Sequence, residues 1–74
     1  MTFIYPYGGI TMTTLLNDNG DRIEFEYDEE HDVTPWDTYD SDGIHTGGGQ
    51  VGGNAEDSLT KEYEGKGYHS PSHS

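Results

Sequence analysis

Hydrophobic and polar residues alternate most regularly in the stretch Arg22-Ile23-Glu24-Phe25-Glu26-Tyr27. Successive side chains of a β-strand point to opposite faces, so the three apolar residues would face one side and the three charged residues the other. The preceding stretch, residues 11–16, is rich in β-branched and apolar residues and is typical of a partner strand. Asn19-Gly20 between them can adopt the positive φ angles of a tight hairpin turn. The pattern therefore predicts an antiparallel β-hairpin.

The pattern is less regular on both sides of this hairpin. A short apolar run, Phe3-Ile4-Tyr5, is stopped by Pro6. After the hairpin, residues 28–42 form an acidic connection in which Val33, Trp36 and Tyr39 are predicted to fold back over the hairpin as the lid of a small core. Residues 43–53 contain six glycines, which is typical of a loop or flexible linker.

The last third of the chain predicts one short helix over residues 54–63, with Asn54 as the N-cap and Gly65 ending it. A strand over residues 58–63 is the alternative, because Leu59, Lys61 and Tyr63 also alternate. Residues 69–74 are predicted to be a tail. The expected fold class is a small β-rich α+β domain in three segments: the hairpin core with its acidic connection (residues 1–42), the Gly-rich loop (residues 43–53), and the short helix and tail (residues 54–74).

The composition of the chain limits the ways in which this fold can be stabilised. The chain has 74 residues, of which 28% are hydrophobic, and no cysteine. Disulfides and thiolate metal sites are therefore excluded. A core this small usually needs a metal or a partner to stabilise it. No stretch approaches the length of a membrane span, and residues 1–10 have neither the basic nor the long apolar region of a signal peptide. The sequence predicts a soluble, cytoplasmic protein.

Charge changes the picture most. The net charge is −12, and 11 of the 15 acidic residues lie between Asp18 and Asp42, with Arg22 as the one opposing cation there. On the second hairpin strand, Glu24, Glu26 and Asp28 would point to one face at intervals of about 6.6–6.8 Å. The carboxylates of such a row repel one another, and a basic partner would relieve that repulsion. Nucleic acid and anionic membranes are excluded as direct partners, because both are polyanions.

Other chemistry is weakly supported. Neither acidic loop can be aligned with a calcium-binding EF-hand loop. Aligning Gly43 with its sixth position puts Gly49 at the twelfth, where a glutamate is needed, and aligning Gly20 with the sixth position puts Leu15 at the first. The four histidines form no paired metal motif, and Gly47-Gly48-Gly49 lacks the GK[ST] ending of a phosphate loop. A chain this small also has little means of burying a carboxyl group to raise its pKa for acid–base catalysis. We expect no enzyme activity, cofactor or metal.

In size and charge the chain resembles the small acidic inhibitors that phages encode, the anti-restriction and anti-CRISPR proteins. This resemblance assigns no residues, but it implies an inhibitor that mimics nucleic acid and blocks a basic nucleic-acid-binding surface of a host defence or DNA-processing protein. The alternative is a small structural or accessory module of a larger assembly, such as a virion component. The residues predicted to contact the partner are Glu24, Glu26, Asp28, Glu29, Glu30, Asp32, Trp36, Asp37, Tyr39, Asp40 and Asp42.

Overall fold

The computed structural model describes residues 12–70, in which four antiparallel strands are followed by one short helix. The predicted small β-rich α+β fold is thereby confirmed at the level of its class. The strands pair in chain order, each with the next, and the predicted apolar run at residues 3–5 and the last four residues of the predicted tail lie outside the described residues. The elements are β1 (Thr13–Leu16), β2 (Arg22–Phe25), β3 (Val33–Tyr39), β4 (His45–Gly52) and α1 (Glu56–Glu64).

Strands β1 and β2 form the predicted hairpin, in a register that places Thr14 opposite Glu24. Gly20 has φ = 90°, which a residue with a side chain rarely adopts. The side-chain oxygen of Asn17 accepts hydrogen bonds from the backbone N–H groups of Asn19 and Asp21, at 3.0 and 2.9 Å. The turn is therefore fixed by an asparagine before it and a glycine at its end.

Strand β2 ends two residues earlier than the alternation predicts, at Phe25, and Pro35 on β3 gives the physical reason. Phe25 pairs with Trp36, so the next residue of β3 along this edge is Pro35, which has no N–H to donate to the ladder. The N–H of Tyr27 instead donates to a carboxylate oxygen of Glu56 at 2.7 Å. The acidic connection expected at residues 28–42 thus contains a full strand, β3.

The Gly-rich loop predicted at residues 43–53 is wrong, because most of this segment is strand β4. β4 pairs with β3 along its whole length, with one irregularity between Thr38 and Tyr39. A Cβ atom at Gly49 would lie 3.1 Å from Cζ2 of Trp36, and one at Gly47 would lie 3.1 Å from the Thr38 hydroxyl. The glycines therefore make room for side chains of β3 that lie across β4, which is a recognised role of glycine inside strands.

One face of the sheet is covered by α1 and forms the core with it. The buried apolar side chains are Leu15, Ile23, Phe25, Ala55 and Leu59, with Trp36, Tyr63 and Tyr68 packed against them. The helix ends at Gly65 as predicted, but its N-cap is Ala55 and not Asn54. The Asn54 side-chain oxygen accepts the N–H of Glu56 at 3.1 Å from one residue further out. The predicted helix is present and the alternative strand over residues 58–63 is not.

The first residue of the predicted tail, His69, is paired with the sheet. His69 exchanges two backbone hydrogen bonds with Leu16, at 2.7 and 2.8 Å, and so adds a short bridge to the outer edge of β1. Backbone groups at a strand edge gain from any such pairing, which side-chain patterns do not reveal.

Candidate functional site

The face of the sheet opposite α1 carries a cluster of carboxylates, which we call the acidic face. It consists of Glu24 and Asp37 on the strands, Glu26 directly after β2, and Asp28, Glu29 and Glu30 in the turn that follows. Glu24 lies directly opposite Asp37 in the β2–β3 register. Glu26, Asp28, Glu29 and Glu30 line one shallow depression together with Pro35. Like charges this close destabilise a sheet unless they are compensated.

Two side chains contact the strand carboxylates. Nε of Arg22 contacts Glu24 at 2.8 Å, and Nε2 of His45 contacts Asp37 at 2.9 Å. Tyr39 lies between the two pairs: the Arg22 guanidinium is 4.1 Å from the centre of its ring, and the His45 ring is 5.3 Å away, centre to centre. Tyr39 is thus a half-buried member of this network rather than a free contact residue.

The turn between β2 and β3 is organised by Asp28. Its carboxylate accepts the backbone N–H groups of Glu30 and His31, at 3.1 and 3.3 Å, and contacts Nδ1 of His31 at 2.7 Å. The hydrogen bond to the His31 side chain, together with these backbone bonds, lowers the pKa of Asp28 below its usual value. Asp28 therefore stays ionised and shapes the turn, which leaves it less free to contact a partner.

Asp32 is also engaged within the chain. The Tyr27 hydroxyl donates a 2.6 Å hydrogen bond to it, and this bond to an acceptor carboxylate raises the pKa of Tyr27. Asp32 has φ = 56°, and its carbonyl accepts the N–H of Gly53 at 2.8 Å. Its predicted role in binding is therefore shared with a role in the turn.

The same turn contains the one group of possible metal ligands among residues 12–70. Ligand atoms of Asp28, Glu30 and His31 lie within 4.8 Å of one another. Sequence patterns did not predict this group, because neither His31 nor its neighbours form a recognised motif. The hydrogen bonds of Asp28 to His31 and to the turn backbone account for the arrangement without a metal.

Two predicted contact residues lie at the other end of β3. The side chain of Asp40 accepts the N–H groups of Asp42 and Ile44, at 2.9 and 3.0 Å, and so closes the turn before β4. A seven-residue strand separates this turn from the one containing Asp28, a distance of about 20 Å. Asp40 and Asp42 are therefore not part of the acidic face.

Trp36 belongs to the opposite face. It pairs with Phe25 and packs against the buried core, whereas the next residue along β3, Asp37, is on the acidic face. The predicted lid is wrong, because Val33, Trp36 and Tyr39 lie in a strand beside β2 and do not fold back over the hairpin. The structure thus brings together Glu24, Glu26, Asp37 and the acidic turn but directs Trp36 away from them. The sequence did not predict the contact of His45 with Asp37, because the glycines that follow His45 leave β4 without an alternating side-chain pattern.

Three carboxylates of the acidic face enter no ion pair with the residues that the structure describes, namely Glu26, Glu29 and Glu30. Glu29 and Glu30 are exposed and Glu26 is half-buried. Lys61 lies on α1, and Lys66 lies just after it and contacts Glu62 at 3.5 Å. Within the acidic face, the carboxylates without a described ion pair therefore lie beside the turn after β2.

Within residues 12–70 no helix has the length and apolar character to cross a membrane. No protein-family model matches the chain, and neither a curated protein nor a solved structure with detectable similarity to it was found. Function has to be argued from the geometry alone.

Proposed function

We propose that this chain is a non-enzymatic binding protein whose acidic face occupies a basic, nucleic-acid-binding surface of another protein. The observation that supports the proposal is the position of Glu26, Glu29 and Glu30. These three carboxylates lie beside one depression and form no ion pair with any residue in the range 12–70. Lysine and arginine side chains that bind phosphates would meet a similar density of negative charge here.

Electrostatics favours such a partner in two ways. The concentrated field steers a basic surface towards the acidic face and accelerates association. Neutralising the three unpaired carboxylates also removes repulsion that the free chain has to tolerate. A purely solubilising acidic surface does not require these carboxylates to cluster beside one depression.

The test is a charge reversal on the acidic face with a matched reversal on the helix. Glu26→Lys with Glu30→Lys changes the net charge from −12 to −8, since each substitution adds two charges. Glu62→Lys with Glu64→Lys gives the same −8 but places the new charges on α1. We expect the immobilised wild type and the helix variant to retain nucleic-acid-binding proteins from a nuclease-treated lysate and to release them with rising NaCl. The acidic-face variant should retain none of them.

Each outcome has a definite meaning. Loss of binding in the acidic-face variant alone, with competition by added DNA, supports the proposal. Equal loss in both variants would mean that only the total charge matters, and the acidic face would not be a site. Binding that survives both reversals and moderate salt would overturn the proposal and favour the structural-module alternative with an apolar docking surface.

A further inference from the structure

Among residues 12–70, strand β4 is an outer edge of the sheet, and β3 is the strand with which it pairs. It is eight residues long and contains no Asp, Glu, Lys, Arg or Pro. Its backbone bonds are made to β3, and no further hydrogen bond joins β4 to the other residues that the structure describes. Edge strands are usually protected from pairing with another chain by being short, charged or interrupted by proline. At the opposite edge β1 has four residues, and Leu16 is already paired with His69.

Glycines in β4 place two side chains of β3 next to this edge. A Cβ atom at Gly48 would lie 2.8 Å from Oδ1 of Asp37, so the carboxylate lies over Gly48 on the acidic face. On the opposite face, the indole of Trp36 lies over Gly49, with Cζ2, Cε2 and Nε1 all within 3.4 Å of the Cβ position. An added strand would therefore meet a carboxylate on one face and an aromatic ring on the other.

We propose that the β4 edge accepts an extended segment of the basic partner as a fifth strand, in which basic and apolar residues alternate. A lysine or arginine opposite Gly48 reaches Asp37, whose side chain is 51% exposed. An apolar residue opposite Gly49 packs on Trp36 and on the exposed Val51 two residues further along the same face. The inference rests on the proposed function, because it names the part of the basic partner that binds.

Charge argues for a basic segment over a second copy of this chain. Pairing β4 with β4 would bring together two chains of net charge −12, with an Asp37 carboxylate from each beside the new interface. A basic strand instead gains a charged hydrogen bond at the same place. Backbone hydrogen bonds supply affinity in strand addition, and the alternating side chains supply specificity.

The experiment uses the full chain and synthetic peptides. The test peptide alternates four lysines with four valines, and the control peptide has the same composition in two blocks. Trp36 is the one tryptophan of the chain and lies beside the proposed site, so its fluorescence reports occupancy. We expect the alternating peptide to shift the Trp36 emission to shorter wavelength and to bind about tenfold tighter than the block peptide, which is worth roughly two backbone hydrogen bonds.

Backbone methylation tests the strand pairing directly. N-methyl groups on every second residue remove the N–H donors on one edge of the peptide and keep its charge. We expect methylation in one register to abolish the emission shift and methylation in the other register to leave it. Asp37→Asn should weaken binding about two- to fivefold, as for an exposed ion pair, whereas Glu64→Gln on α1, with the same change of charge, should leave it unchanged.

The two proposals fail in different ways. Equal binding of both peptides without a shift in Trp36 emission would overturn strand addition but leave a basic partner for the acidic face. No binding of either peptide at low salt would contradict both. A free chain that sediments as a dimer, and in which the alternating peptide produces monomers, would show that a second copy occupies β4 and would overturn the basic segment.

Discussion

The side chain of Thr34 holds two backbone segments together through hydrogen bonds, an unusually large structural role for a threonine. It has no exposed surface, and its hydroxyl donates to the carbonyl of Gly53 at 2.8 Å and accepts from the N–H of Ala55 at 2.9 Å. A single side chain thus satisfies two backbone groups at the junction between β4 and α1. Buried backbone groups without partners cost free energy, so this hydroxyl holds the helix against the sheet.

Replacing Thr34 by valine should destabilise the fold by about 1–3 kcal/mol, because a side chain of the same shape leaves both backbone groups unsatisfied. The matched control is Thr14→Val on β1. Its hydroxyl makes no hydrogen bond to another described residue, so the change should stay within about 0.5 kcal/mol. Urea unfolding followed by circular dichroism measures both, and equal stability of the two variants would show that the Thr34 hydrogen bonds contribute nothing.

At the scale of elements, β4 shows how composition and structure can disagree. Its glycines are unfavourable in a strand by propensity, yet the strand forms because β3 provides a complete pairing partner. Two of these glycines differ sharply in their surroundings. A Cβ atom at Gly49 would crowd the Trp36 ring, whereas one at Gly52 would meet nothing within 4 Å.

Valine at these two positions should therefore have opposite effects. Gly49→Val is expected to destabilise the chain by about 1–3 kcal/mol, since the indole has to move out of its packed position. Gly52→Val should be neutral or stabilise by up to about 1 kcal/mol, because glycine loses more conformational freedom on folding. Thermal unfolding and Trp36 fluorescence distinguish them. If Gly49→Val stabilised as much as Gly52→Val, the glycine would not be making room for Trp36.

At the scale of the whole molecule, charge opposes folding. The chain has fifteen acidic residues and only three lysine and arginine residues, and the ion pairs among the described residues compensate only part of the acidic face. The repulsion extends across the molecule at low salt, where the Debye length is about 30 Å at 0.01 M, and is confined to near neighbours at about 8 Å in 0.15 M salt. Stability should thus depend on ionic strength.

Raising NaCl from about 10 to 150 mM should increase the free energy of unfolding on the order of 1 kcal/mol, the size of a few surface charge pairs. The variant Glu26→Gln with Glu30→Gln should respond less, because two unpaired carboxylates of the acidic face are gone. Urea unfolding at each salt concentration provides the measurement, with KCl as a control for ion-specific effects. A stability that does not change with salt would mean that self-repulsion is negligible.

Local patterns were sufficient wherever one face of an element meets the core. The alternation around Ile23 and Phe25 predicts β2, and Leu59 with Gly65 predicts the buried face and the end of α1. The concentration of acidic charge before Asp42 was equally visible, because charge is a property of composition. These predictions depend on residues only a few positions apart, so they can be made without knowing which distant segments pair.

Pairing between distant residues was decided by the tertiary structure. Strand β4 has almost no side chains to form a pattern, so it exists only through its register with β3, and that register also places Asp37 over Gly48 and Trp36 over Gly49. The acidic face is likewise smaller than the acidic sequence, since turns use Asp28, Asp32 and Asp40 for backbone hydrogen bonds or local contacts. The sequence by itself determined that this protein is acidic and built on a hairpin. Among residues 12–70, the fold determined which carboxylates lack an ion pair and which strand lies at the edge of the sheet. Both depend on contacts between segments far apart in the chain.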